Sequence, residues 1–276
     1  MAWRAELQLD FTCESQRTVA RYVHQGPLRI LKSLYPEGDH ICHNVLVHPP
    51  GGLVGGDTLD IRVSVGEGAH GLVSTPGATR FYKSGGHPAL QQLHANLAPG
   101  ARLEWLPLEA IAYNACEATN RAVFNLAPDS ELITWDITAL GLPSSDMAFK
   151  QGYFQQHLEI PGVWLEKGKI QGQDARWLNS PLGLAGQKCL ASLVFAAGSR
   201  IDPQRATMAI DLAREVLEAH PLKLQAGITC AHPQVIVLRV MSPLVEPTMD
   251  LLKQVWATWR HALWQLPSTP PRIWSV

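Results

Sequence analysis

The chain opens on an unbroken alternation of apolar and polar positions. Ala5, Leu7, Leu9 and Phe11 are separated by Glu6, Gln8 and Asp10. Residues 58–65 repeat the device, with Leu59, Ile61, Val63 and Val65 set against Asp60, Arg62 and Ser64. A period of two sends successive side chains to opposite faces, which predicts half-buried β-strands. The segments YFQQHLEI, VWLEKGKI, CLASLVFA and PQVIVLRVM supply further strand candidates. Turn signals at Pro161-Gly162, Gly168 and Gly198 punctuate them.

A repeat underlies the first half. NLAPGARLEWLP begins at residue 96 and NLAPDSELITWD at residue 125, a spacing of 29. A looser copy, VSVGEGAHGLVST, starts at Val63, about 32 residues before the first. Each copy reads as strand, tight turn, strand, with Gly68, Gly100 and Asp129 at equivalent turn positions. Self-similarity near thirty residues predicts stacked β layers, each burying its face on the next.

Two segments switch to the helical period. Asp202-Pro203 caps the first, and Ala206, Ala209, Ile210, Ala213, Val216 and Leu217 form its apolar stripe up to His220-Pro221. The second runs from about Thr248 to Leu266, with Leu252, Val255, Trp256, Trp259, Leu263 and Leu266 on one face. Trp256, Trp259 and Trp264 offer large burial area, either to the core or to a partner's groove. The expectation is a mainly β chain with two amphipathic helices in its C-terminal third. With no linker, charge block or low-complexity tract, residues 1–276 read as one domain.

Composition narrows the function classes. The formal net charge is −1 over 276 residues, with no basic stripe, which argues against nucleic acid as a ligand. No apolar run reaches membrane length, and the start, MAWRAELQLDF, lacks a signal-type apolar stretch. The five cysteines are scattered without a C-x-x-C, as expected for reduced thiols in the cytoplasm.

Two glycine-rich stretches imitate nucleotide sites. HPPGGLVGGDTLDI has the glycine spacing of a phosphate loop, but Asp57 stands where the lysine belongs and a period-two strand follows instead of a helix. GEGAHG matches a dinucleotide fingerprint, yet Thr75-Pro76-Gly77 forbids the helix that it needs. These glycines are expected to allow positive φ and close backbone approach, presenting Asp57 on a constrained turn. That carboxylate serves either the turn itself or a ligand.

In DHICHNVLVH, alternation sets His40, Cys42 and His48 on one side of a strand and His43 on the other. Imidazole and thiol suit nickel, copper or zinc, so His40, Cys42 and His43 are candidates for weak metal binding. No G-x-S-x-G occurs, and carboxylate pairs such as Glu104 with Glu109 or Asp136 with Asp146 have no spacing that fixes a facing geometry.

The order of segments carries more. YPEGDHICHNVLVHPPGGLVGGDTL, TPGATRFYKS, LEWLPLEAIAYNAC, WDITALG and a terminal PPRIW together resemble the urease accessory protein D family, called H in some bacteria. The resemblance covers nearly the whole chain. It implies an elongated, stacked-sheet, β-helix-like architecture and a non-catalytic chaperone of urease maturation. Family members bind the urease apoenzyme and the accessory proteins F and G, where G is a GTPase that carries nickel. Ni²⁺ is in transit through a polar internal channel, with no tightly bound cofactor implied. Carried over by position, Asp57, Ser84, Asp136, Asp146 and Glu166 are the expected channel residues. Leu142 stands where the family has an arginine. Two other function classes compete: an enzyme of unknown chemistry in a β-solenoid cleft, and a nickel store.

Overall fold

A computed structural model describes residues 2–275. Strand β1 (Arg4–Glu14) folds back on β2 (Arg17–Gln25) as an antiparallel hairpin, and β3 (Arg29–Ile30) leads into a coiled stack. The first coil comprises β4 (Ile41–Val47), β5 (Gly52–Leu53) and β6 (Thr58–Val65). The second is β7 (His70–Ser74), β8 (Thr79–Phe81) and β9 (Ala89–Leu97); the third is β10 (Arg102–Leu106), β11 (Ala110–Ala112) and β12 (Cys116–Leu126). A fourth begins with β13 (Glu131–Leu140) and returns through β14 (Gly152–Ile160), which turns into β15 (Trp164–Gln171). The chain then runs α1 (Ala175–Asn179), β16 (Cys189–Ala197), α2 (Pro203–Ala219), β17 (Ala226–His232), β18 (Val235–Ser242) and α3 (Val245–Trp264).

Equivalent strands of successive coils pair in parallel, so each coil wall becomes a sheet. One sheet has the order β15-β14-β12-β9-β6-β1-β2; the facing one runs β17-β18-β16-β13-β10-β7-β4-β3. The short strands β5, β8 and β11 make the third wall. This is a β-solenoid-like stack, as the repeat predicts.

The repeat is the coil register itself. Asn96 pairs with Asn125 and Leu97 with Leu126, the spacing of 29 read from NLAP. Val65 pairs with Leu97, the spacing of 32. Gly68, Gly100 and Asp129 occupy the same left-handed turn position, with φ of 67°, 68° and 61°. Each copy can repeat the turn because glycine, and to a lesser degree Asp, tolerates that conformation.

The main core lies between the sheets and includes Leu9, Phe11, Ile61, Leu93, Leu103, Phe124 and Phe154. A second lies on the outer face of the β13/β16/β18 sheet, covered by α2 and α3. Asp202 caps α2, its Oδ1 accepting from the Gln204 and Arg205 amides at 2.9 and 3.0 Å. Three helices are present where periodicity predicts two; α1 is a single turn, too short to show an amphipathic stripe. Among the described residues, no helix is long and apolar enough to cross a membrane.

Candidate functional site

At the fourth coil the inner faces of the two sheets carry polar groups at the centre of an otherwise apolar gap. Gln91 on β9 and Asn120 on β12 are register partners, as are Asn120 and Gln156 on β14. Gln91 Nε2 donates to Asn120 Oδ1 at 3.1 Å, and Asn120 Nδ2 donates across the gap to Asp136 Oδ2 at 3.1 Å. Thr138 Oγ1 donates to Asp136 Oδ1 at 3.3 Å. Burial pushes the Asp136 carboxyl up to about 7, and the neighbouring Glu166 charge adds to that rise. The hydrogen bonds from Thr138, Gln156 and Asn120 only partly offset it.

Glu166 reaches the same region from β15. Its Oε1 accepts from Ser192 Oγ at 2.7 Å, and its Oε2 takes Nε and Nη2 of Arg239 at 3.0 and 2.8 Å. Two of the five expected channel residues are thus brought together, and Arg239 supplies the counter-charge of Glu166.

Two partly open chambers adjoin this site. One, of about 30 Å³, is lined by Gln91, Asn120, Thr134, Asp136 and Leu158, and has room for about one water. The other, of about 200 Å³, is lined by Leu46, His48, Leu59, Thr75, Thr79 and Gln91. They share Ile61, Thr79, Gln91, Trp105 and Pro107 as wall residues. Together they extend from the first coil to the fourth, with mixed apolar and polar walls.

Of the five expected channel residues only Asp136 lines a chamber; Glu166, Asp57, Ser84 and Asp146 line neither. Asp57 is buried and closes its own turn, its Oδ2 accepting from the Val54 amide at 3.0 Å and its Oδ1 from the Trp3 amide at 3.3 Å. The glycines permit that turn: Gly56 has φ of 89°, and a side chain at Gly55 would sit 2.7 Å from the His87 carbonyl. Ser84 Oγ accepts from the Glu117 amide at 3.0 Å and donates to the Glu117 carbonyl at 3.3 Å, pinning the start of β12. Asp146 is exposed, capping the short Pro143–Ser145 turn in a left-handed conformation beside a surface cleft lined by Tyr82, Lys83 and Lys150. Asp57 and Ser84 are thus buried and hydrogen-bonded to backbone groups, and Asp146 is exposed.

The metal candidates do not converge either. His40 is exposed ahead of β4; Cys42 is sealed in the core; His43 is buried on the opposite sheet face and bonds Glu37 Oε1 at 2.8 Å. Alternation along β4 separates Cys42 from His43. Among the described residues, no group of three or more His, Cys, Asp or Glu is placed to hold a metal. Burial also raises the thiols, Cys116 to about 12 and Cys189 to about 11, so both stay protonated near neutrality.

Trp256, Trp259 and Trp264 pack inward, at 1%, 0% and 5% exposure, so α3 does not present them to a partner. The outer sheet face offers them Trp135, Phe195 and Leu238, and each indole N–H has a protein acceptor. Trp256 donates to Glu104 Oε2 at 2.6 Å, Trp259 to the Ala209 carbonyl at 2.9 Å, and Trp264 to Glu131 Oε2 at 2.6 Å.

Sequence reasoning missed Gln91, Asn120, Ser192 and Arg239. One signal was present: Gln91 and Asn120 are 29 residues apart, the spacing of the repeat. Nothing in the sequence sets Ser192 and Arg239 opposite Glu166, because only strand pairing across β16 and β18 puts them there.

Comparison with known proteins agrees over the full chain. The UreD urease accessory protein family model matches residues 4–275. Urease accessory protein UreD of Albidiferax ferrireducens is 59% identical over 276 residues, covering 100% of both chains. The protein of that name from Verminephrobacter eiseniae is 60% identical over the same length and coverage. The one from Methylibium petroleiphilum is 45% identical over 296 residues, again covering 100% of both. With the coil repeat, the GGD turn and the terminal PPRIW in place, the chain belongs to the UreD urease accessory protein family.

Proposed function

We propose that this chain serves urease maturation as a non-catalytic scaffold in the cytoplasm. It binds the urease apoenzyme and accessory protein F, and through F the GTPase G, and Ni²⁺ crosses its interior on the way to the urease centre. The observation that carries this reading is the inter-sheet hydrogen-bonded run of Gln91, Asn120 and Asp136, with the Glu166 charge acting on Asp136, beside two adjoining cavities.

The chemistry suits passage. Amide carbonyls, carboxylates and water hold a divalent ion at oxygen, loosely enough for exchange. A site of several thiolates would trap it. Asp136 lies close enough to neutrality to exchange a proton for an arriving cation. Glu166 is charge-paired to Arg239, whose side chain is 49% exposed and therefore held by a weak contact that an ion can displace.

The test is urease nickel content after co-expression with a urease cluster in which only this gene is changed. Asp136→Asn and Glu166→Gln are expected to lower nickel per urease while the complex with urease and accessory protein F still co-purifies. Normal nickel loading in both variants overturns the conduit. Failure to co-purify with urease in the unaltered chain overturns the scaffold.

A further inference from the structure

The segment between β15 and β16 holds apolar side chains out in solvent on a tightly bonded backbone. Leu182 is 92% exposed and Trp177 46%. Asp174 caps α1, its Oδ1 accepting from the Trp177 amide at 2.9 Å. The Leu184 amide returns to the Trp177 carbonyl at 3.0 Å, and the Gly183 and Ala185 amides both reach the Ser180 carbonyl at 2.9 Å. Ala185 adopts φ of 50°, which a non-glycine residue keeps only where its surroundings fix it. Leu178 and Leu184 anchor the segment in the main core. A side chain at Gly183 would meet the Trp177 ring at 3.2 Å, so glycine lets the indole lie over the turn beside Leu182. The two side chains are thus exposed by a fixed backbone, not by a loose loop.

Cations surround this tip. Between residues 161 and 188 the exposed charged side chains are Lys167, Lys169, Asp174 and Arg176. Asp174 is committed to its cap, Glu166 turns inward to Arg239, and Glu159 on β14 is held by His157 and Arg121. Lys169 lies over the Tyr153 ring at 3.7 Å, a contact that leaves its charge unneutralised. The three cations are therefore without an ion-pair partner among the described residues, in a chain whose formal net charge is −1. Lys167 and Lys169 share the outer face of β15 with Leu165, itself 55% exposed. β15 is the last strand of its sheet, so the row of N–H and C=O groups along its outer edge is open. Lysines on such an edge deter indiscriminate strand pairing, so a partner must answer their charge.

The geometry points to Trp177 and Leu182, with Lys167, Lys169 and Arg176 around them, as a docking tip for a protein partner whose surface offers an apolar socket rimmed by carboxylates. This rests on the scaffold reading and is independent of the conduit. The apolar pair is the anchor that loses water on contact, and the cations steer and orient the approach. A protein can also pair the open edge of β15, whereas the hydrocarbon of a bilayer has no group to do so.

The test measures binding of the full chain to purified urease apoenzyme and, separately, to accessory protein F. Leu182→Ser changes a side chain that lies almost wholly in solvent and is expected to keep the urea midpoint of the unaltered chain. Lys167→Gln with Arg176→Gln leaves the apolar pair in place and serves as the second variant. Leu182→Ser should weaken binding to at least one of the two proteins by about tenfold or more. The charge variant should slow association with that same protein at low salt, with the difference fading as salt rises. Unchanged affinity for both proteins in Leu182→Ser overturns the docking tip while the scaffold stands. Association as fast in the charge variant as in the unaltered chain overturns the carboxylate rim. An unaltered chain that binds neither protein overturns the scaffold, and the tip with it. Vesicles of equal phosphatidylcholine and phosphatidylserine, held by the unaltered chain but not by Leu182→Ser while both protein affinities are unchanged, assign the tip to a membrane. Self-association lost in Leu182→Ser under the same condition assigns it to a second copy of this chain. Either result overturns the protein partner.

Discussion

Arg260 on α3 clasps Glu37, 223 residues earlier in the chain, through two hydrogen bonds of 2.8 and 3.0 Å, with both side chains sealed from solvent. Glu37 also takes His43 Nε2, and Arg260 lies 3.2 Å from Glu104, which in turn takes His70 Nε2 at 2.9 Å. The helix is thereby locked to the first three coils by charge as well as by its indoles. Arg260→Met leaves Glu37 and Glu104 buried without their cation. It is expected to destabilise the chain by about 3–5 kcal/mol, read from the midpoint of urea unfolding. The double variant Arg260→Met with Glu37→Gln should lose clearly less than the two single losses added together. Strict additivity would show that the clasp is not a coupled unit.

Asp136 predicts a pH dependence of defined sign. Its carboxyl is raised in the folded chain to about 7 from an ordinary value near 3.8. Folding therefore favours the protonated form. The stabilising contribution is complete below about pH 4 and is lost as pH rises towards 7. Asp136→Asn, neutral at every pH, should remove this fall, so wild type minus variant stability declines between about pH 4 and pH 7. A flat difference across that window, measured by thermal or denaturant unfolding, contradicts the buried, proton-holding carboxyl.

Asp57 makes a structural prediction. Its carboxylate holds the Val54 and Trp3 amides. Asp57→Ala should cost about 1–3 kcal/mol and speed hydrogen exchange at both amides. Asp57→Asn keeps one acceptor oxygen and should lose less. Any effect of Asp57→Ala on urease nickel is expected to follow lost stability, and to shrink when expression temperature is lowered.

Trp274 seals the outer core. Its ring lies 5.1 Å from Trp135 and 5.0 Å from Trp256, and its N–H donates to Ser74 Oγ at 2.8 Å. Trp274→Ala should destabilise by roughly 2–4 kcal/mol, less than a fully buried tryptophan because the ring is only partly covered. Trp274→Phe should recover most of the packing but not the Ser74 bond. A Phe variant as weak as the Ala variant would place the stabilisation in the hydrogen bond instead.

The coils were legible because their cause is local. Period-two alternation reports a strand with one buried face, and NLAP at a spacing of 29 reports stacking, since equivalent positions meet equivalent neighbours. Asp202-Pro203 marks a helix start by a cap that acts within three residues. Family resemblance pointed to Asp57, Ser84, Asp136, Asp146 and Glu166, of which the structure brings only Asp136 and Glu166 together. A motif records which residues recur and not which way they face.

By itself, then, the sequence determined the strand faces, the coil length, the two long helices and the rejection of both nucleotide decoys. Each depends on neighbours a few residues, or one repeat, away. Only the tertiary structure decided that Gln91, Asn120, Asp136 and Glu166 share one gap, that Arg239 and Ser192 close it, and that Trp256, Trp259 and Trp264 are core. These outcomes depend on two sheets packing face to face and a helix docking on the outer one. Such contacts join residues as many as 223 apart, as between Arg260 and Glu37, where no local pattern reaches.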